Sequence, residues 1–286
     1  MAPRSVKKPT PEGSADAGQR RHPRVRAGTG GWTYAPWRNN FYPVGLVQRR
    51  ELEYASRHLT AIEVNGTYYG AQKPASYAAW HAQTPDGFVF SLKAPRYATE
   101  RKELAGAGKT IKDFVFGGLA ELGDRLGPIN WQFGEDKVFD RSDFAAFLDL
   151  LPLELDGKPL RHVLEVRNES FQCEEYIELA RSHRVPTVFT DSPKHPSFAD
   201  LTGDFVYARL MQSEAKLATG YSEAALDAWA KRALTWAEGG EPDDLPRIAA
   251  STSPPAKARN VFVYFINGAK ERAPAAAMAL LARLTV

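Results

Sequence analysis

Ala61-Ile62-Glu63-Val64-Asn65-Gly66-Thr67-Tyr68-Tyr69 is the stretch from which the fold can be read. Ile62 and Val64 alternate with Glu63 and Asn65 ahead of a glycine. That is the period-two pattern of a short strand with one apolar face and one face carrying polar groups toward its C-terminal end. Residues 88–93, Leu164-Glu165-Val166-Arg167 and Phe205-Val206-Tyr207-Ala208-Arg209 repeat the pattern, each an apolar strand ending on a charge. A charge on a buried strand is costly unless it is paired or used, so these ends are expected to meet at one place.

Further strand patterns start at Val25, Ile129, Pro186 and Val261, which brings the strand-like segments to eight. Helical spacing fills the gaps: 48–58, a helix from Pro74, 110–125, 142–151 with Ser142 as N-cap, 174–183, a helix from Ser222, and 273–284. Prolines 193 and 196 leave the sixth helix short or missing. Strands alternating with helices predict parallel strands joined by crossovers. The expected fold is α/β, a single closed (β/α)8 TIM barrel over 25–286 behind a disordered basic tail at 1–24; an open doubly wound sheet is the competitor.

In a barrel the C-terminal strand ends share one mouth. Alternation assigns to it Glu63, Asn65, Lys93, Gln132, Glu165, Arg167, Asp191, Arg209 and Asn267, so three carboxylates face three cations. The plain structural reading is a neutral network plugging the barrel end. The functional reading is favoured because active sites of this fold are built from strand ends. The loop after strand one is aromatic. Its rings either cap the core or, with Trp32 as the candidate, stack on a ligand; Tyr69, at the end of the opening stretch, is a further ligand-binding candidate. The segment 94–109, with Arg96, Arg101, Lys102 and Lys109, is a candidate lid or a solvated charge run. The loop 238–259 is expected at the opposite end of the barrel.

Composition narrows the function classes. The net charge of +3 arises in the tail, where Arg4, Lys7, Lys8, Arg20, Arg21, Arg24 and Arg26 face only Glu12 and Asp16. The rest is slightly acidic and gives no general pull toward nucleic acid. No segment has the length of a signal or membrane-spanning stretch, and the single Cys173 makes no internal disulfide, so a cytoplasmic, thiol-reducing setting is expected. Gly28-Thr29-Gly30-Gly31 has Thr33 where a dinucleotide fingerprint needs its last glycine, so no cofactor of that kind is predicted.

Taken in order, Gly28-Thr29-Gly30-Gly31-Trp32-Thr33-Tyr34, Phe41-Tyr42-Pro43, Glu63-Val64-Asn65-Gly66-Thr67-Tyr68-Tyr69, Ser91-Leu92-Lys93-Ala94-Pro95-Arg96, Leu164-Glu165-Val166-Arg167, Tyr207-Ala208-Arg209-Leu210 and Tyr264-Phe265-Ile266-Asn267 resemble the domain of unknown function 72, or YecE-like, family. The resemblance runs over about 24–284 and implies a (β/α)8 barrel without assigning it a chemistry. It carries over Glu63, Asn65, Lys93, Glu165, Arg167, Arg209 and Asn267. Where relatives show Arg-Leu-His-Gly after strand seven, this chain has Arg209-Leu210-Met211-Gln212.

The chemistry expected is acid/base hydrolysis or isomerisation of a small polar, anionic or sugar-like substrate. Arg167 and Arg209 would grip an anionic group, with Lys93 as a compact charge and Glu63, Glu165 or Asp191 as acid or base. No metal is predicted, although Glu63, Glu165 and Asp191 offer the oxygen donors that Mg or Mn takes. A nucleic-acid-binding or repair-like barrel and a non-catalytic metabolite-binding barrel are the alternatives.

Overall fold

The computed structural model describes residues 22–249 and 257–285. The tail at 1–21 and the part of the 238–259 loop at 250–256 lie outside the described residues. The His22 amide donates to the Leu284 carbonyl and the Arg24 carbonyl accepts from Val261.

Eight parallel strands form the barrel: β1 (Val25–Gly30), β2 (Ala61–Val64), β3 (Val89–Lys93), β4 (Leu126–Gln132), β5 (His162–Glu165), β6 (Phe189–Thr190), β7 (Phe205–Leu210) and β8 (Asn260–Phe265). They pair in the order β5-β4-β3-β2-β1-β8-β7-β6. Ahead of β6, a bridge from Leu164 to Thr187 closes the ring, with Val188 N donating to Leu164 O at 2.8 Å. Closure removes the open edges that a doubly wound sheet would leave.

The helices α1 (Glu51–His58), α2 (Pro74–Gln83), α3 (Arg96–Thr99), α4 (Gly108–Phe116), α5 (Arg141–Asp149), α6 (Glu174–Ser182), α7 (Glu223–Ala237) and α8 (Ala273–Ala282) lie outside the strands. No α-helix follows β6 before β7. Among the described residues no helix is long and apolar enough to cross a membrane.

Ser222 caps α7 as expected, its hydroxyl accepting from Ala225 N. The cap of α5 is Asp140 rather than Ser142: the Asp140 carboxylate accepts from Asp143 N at 2.9 Å, and Ser142 spends its hydroxyl on that same carboxylate at 2.7 Å. Asp and Ser are comparable capping residues, so position decides: Asp140 stands three residues ahead of the Asp143 amide, and its carboxylate is also favoured by the helix N-terminus. Segment 94–109 is no loose lid. It folds into α3 and a 3-10 turn that buries Leu104 and Ala107. Asp143 accepts from Leu104 N, and Lys137 donates to the Arg101 and Lys102 carbonyls and to Asp143, so the segment is tied to the loop after β4.

Two cores result. The larger lies between strands and helices and takes in Trp37, Phe41 and Tyr42, so most of the aromatic loop caps the core. The smaller fills the lumen with Ala61, Val89, Val163, Val188, Phe205, Tyr207, Phe262, Tyr264 and Ile266, the inward parity of β2, β3, β5, β7 and β8 and of the residues next to β6 and β8. The described part of the 238–259 loop packs at the N-terminal strand ends, where Ile248 N and Ala249 N both donate to Asp200.

Candidate functional site at the barrel mouth

The lumen core ends upward on tyrosine hydroxyls, and the charges rest on these. Tyr264 shares a 2.6 Å hydrogen bond with Ser91, and Tyr207 donates to Glu63 Oε2 at 2.6 Å. Register places Glu63 beside Ser91, Lys93 beside Asn130, Gln132 beside Glu165 and Arg209 beside Tyr264, so the mouth draws on six strands.

Arg209 is the hub. Its Nη2 donates to Glu63 Oε1 at 3.0 Å and its Nη1 to Glu165 Oε1 at 2.5 Å, all three side chains being essentially inaccessible. Glu165 also accepts from Arg167 Nε (3.1 Å) and Nη2 (2.8 Å), and from Asn130 Nδ2 at 3.0 Å. Burial pushes the Glu165 carboxyl up, but Arg209, Arg167 and Lys93 outweigh it and hold the group well below the usual carboxylate range. Burial likewise disfavours the Arg209 cation, and Glu165 and Glu63 more than restore it. Glu165 and Arg209 are therefore fixed charges.

Lys93 differs from its neighbours. Its Nζ donates to the Gln132 amide oxygen at 2.9 Å and sits 3.9 Å above the Tyr68 ring. No carboxylate among the described residues forms an ion pair with it. Two guanidinium groups and two carboxylates thus neutralise one another, and the ammonium is left over. Burial, then Arg209, lower the Lys93 pKa to about 8 despite Glu165 and Glu63. Asn130 Oδ1, Gln132 Nε2 and Arg209 Nε have no hydrogen-bond partner among the described residues, although buried polar atoms are nearly always satisfied. The mouth is open above Arg167, whose side chain is 23% exposed.

Other expected positions lie apart. Asp191 follows inward-facing Thr190 and so turns outward. It accepts from Met211 N at 2.6 Å and lies 3.5 Å from the Tyr221 hydroxyl, and burial raises its pKa to about 6. Asn267 is exposed with φ 63°, a turn residue after inward-facing Ile266, and its amide reaches only the Met211 sulfur. The Trp32 ring packs edge-on to Trp80 and against Phe90, on the helix side of β3. Asn65 lies at the rim, where a Cβ on Gly30 would come within 2.8 Å of its Nδ2. Tyr69 is exposed at the rim. Because Arg209 stands between Glu63 and Glu165 and Asp191 is elsewhere, the three acids imagined as oxygen donors do not gather. Among the described residues no group of three or more His, Cys, Asp and Glu is placed to hold a metal.

Sequence reasoning passed over Asn130, although it shares the parity of Gln132, and Tyr68, which sits in a turn where no strand rule applies. His195, on the loop after β6, reaches the mouth: its Nδ1 is 3.5 Å from Glu135, and burial, then Arg167, lower its pKa. His162 stays at the other end, neutral. Trp131 Nε1 donates to its Nδ1 at 3.0 Å and its Nε2 meets Pro152 O at 2.6 Å, while burial lowers its pKa to about 4.

This barrel can be compared with known proteins. A family model described as "Protein of unknown function DUF72" matches residues 26–286. The chain belongs to the DUF72 family. Among solved structures, a DUF72 protein from Thermotoga maritima is 22% identical with a TM-score of 0.65, covering 90% of this chain and 96% of its own. A DUF72 protein from Enterococcus faecalis is 16% identical with a TM-score of 0.67, covering 91% and 95%. SacUVDE, at 12% identity and a TM-score of 0.52, covers 91% and 98%. At these identities the likeness extends to the fold alone. No curated protein matches the chain.

Proposed function

We propose that this DUF72 barrel is an acid/base enzyme for a small anionic or sugar-like substrate. The anionic group is taken by Lys93 and the open side of Arg167, and protons are exchanged at Lys93. The observation that carries this reading is the unmatched ammonium. In a mouth where every other buried charge has an opposite partner, Lys93 has a neutral amide, an aromatic ring and two nearby guanidinium groups. A buried cation without a counter-ion is costly, and an arriving anion removes that cost. A pKa near 8 lets the amine both give and accept a proton close to neutral pH, where acid/base groups work best.

Glu63 and Glu165 serve in this scheme to orient Arg209 and Arg167, since all their oxygens are engaged. Gln132 aims the Lys93 ammonium. A small ligand is favoured over nucleic acid because the chain beyond its basic N-terminal stretch is slightly acidic, and two of the four cations on segment 94–109 are already engaged, Lys109 by Asp113 and Arg101 by the Tyr97 carbonyl and Thr110. The test is deuterium wash-in. A panel of sugar phosphates and hydroxy acids is incubated with the protein in D2O and followed by proton NMR. Loss of a carbon-bound proton signal with wild type, abolished in folded Lys93→Met, is the expected result; Lys93→Met retaining every exchange seen with wild type overturns the assignment.

A further inference from the structure

A row of cations and rings climbs from the floor of the mouth to its rim. Lys93 Nζ lies over the Tyr68 ring, and Tyr68 meets Tyr69 edge-on with centroids 5.4 Å apart. The Arg96 guanidinium carbon stands 5.9 Å from the Tyr69 ring and 5.3 Å from the Tyr97 ring. Tyr68 and Tyr69 come from the turn after β2, and Arg96 and Tyr97 from α3 after β3, so the row is part of the mouth. Its lower end is fixed: Tyr68 donates to Glu100 at 2.9 Å, and Glu100 lies 4.0 Å from Arg96. Its upper end is open, with Tyr69 70% and Tyr97 56% exposed.

Tyrosines left this exposed beside a guanidinium give up burial that a core would have supplied. What they offer instead is a flat apolar face next to a flat cation, the pair of surfaces on which sugars and bases stack. We infer that the substrate carries a sugar or base ring beside its anionic group, the anion lying on Lys93 and Arg167 and the ring on Tyr69 next to Arg96. The inference rests on the proposed anion site and adds the ring.

Calorimetric titration tests it with four probes: inorganic phosphate, ringless glycerol 3-phosphate, glucose 6-phosphate and uridine monophosphate. Stacking of one ring is expected to tighten binding roughly tenfold or more over glycerol 3-phosphate. The tighter of the two ring phosphates tells sugar from base. Tyr69→Ala should bring the ring phosphates down to the level of glycerol 3-phosphate. Should glycerol 3-phosphate bind as tightly as both ring phosphates, or the margin survive Tyr69→Ala, the ring inference is wrong and the anion site stands. Should wild type bind none of the four, the anion site fails and the ring inference with it.

Discussion

Replacing Arg209 with Met removes the cation that joins two buried carboxylates, and the structure says where the damage falls. Glu165 keeps Arg167 and Asn130, whereas Glu63 keeps only the Tyr207 hydroxyl. The cost is therefore that of one uncompensated buried charge, about 3–5 kcal/mol from measured breakages of buried pairs. For a domain of this size that corresponds to a fall in Tm of roughly 6–20 °C. Urea unfolding at pH 7, followed by tryptophan fluorescence and far-ultraviolet circular dichroism, measures it. Two controls identify the cause. Adding Glu63→Gln to Arg209→Met should recover part of the loss, because the stranded charge is gone. Lowering the pH below about 4.5 should narrow the gap to wild type, because Arg209 does most to hold the Glu165 carboxyl below the usual range, so wild type loses more stability than the variant as that group is protonated. A loss under about 1 kcal/mol, or a double variant no better than the single one, would refute the network.

Two further tests address the frame. His162 is neutral when folded, with a pKa lowered to about 4; the unfolded chain therefore binds more protons between about pH 6.5 and 4, and stability is lost as the pH is lowered through that window. The full linkage is about 3 kcal/mol, and a folded His162→Gln variant should show a flatter profile than wild type between pH 7 and 4.5 by urea unfolding. In β1, a Cβ on Gly28 would sit 1.7 Å from the Ala61 carbonyl oxygen, whereas on Gly30 it would meet only side-chain ends. Gly28→Ala should thus cost roughly 3 kcal/mol or more and Gly30→Ala distinctly less, the order being read from their unfolding midpoints.

The barrel was legible because its strands obey a simple alternation: Ile62 and Val64 turn outward while Glu63 turns inward, and the same parity carries Lys93, Glu165 and Arg209 into the mouth. The rule fails where a strand ends. Asn267 follows inward-facing Ile266 and turns left-handed, and Asp191 follows inward-facing Thr190, so both leave the mouth that a list of strand-end polar residues assigns them. Tyr68 was invisible for the opposite reason, since it enters from a 3-10 turn with no period to read. Ser142 yielded the α5 cap to Asp140 because two good capping residues stood within one turn, and sequence does not rank a carboxylate against a hydroxyl that can also bind it. Charge balance was the hardest quantity to foresee. Three acids against three bases looked neutral, but Asp191 stands aside, and Lys93 is left without a partner.

That unmatched ammonium is the centre of the account, and its titration tests it most directly. Competitive acetylation at a series of pH values, with each lysine read by mass spectrometry, gives a midpoint for Lys93 beside those of the surface lysines. The Lys93 midpoint is expected near 8 against about 10.4 for ordinary lysines, moving upward when phosphate is added because a bound anion favours the charged amine. A Lys93 midpoint in the ordinary lysine range, unmoved by phosphate, would contradict it.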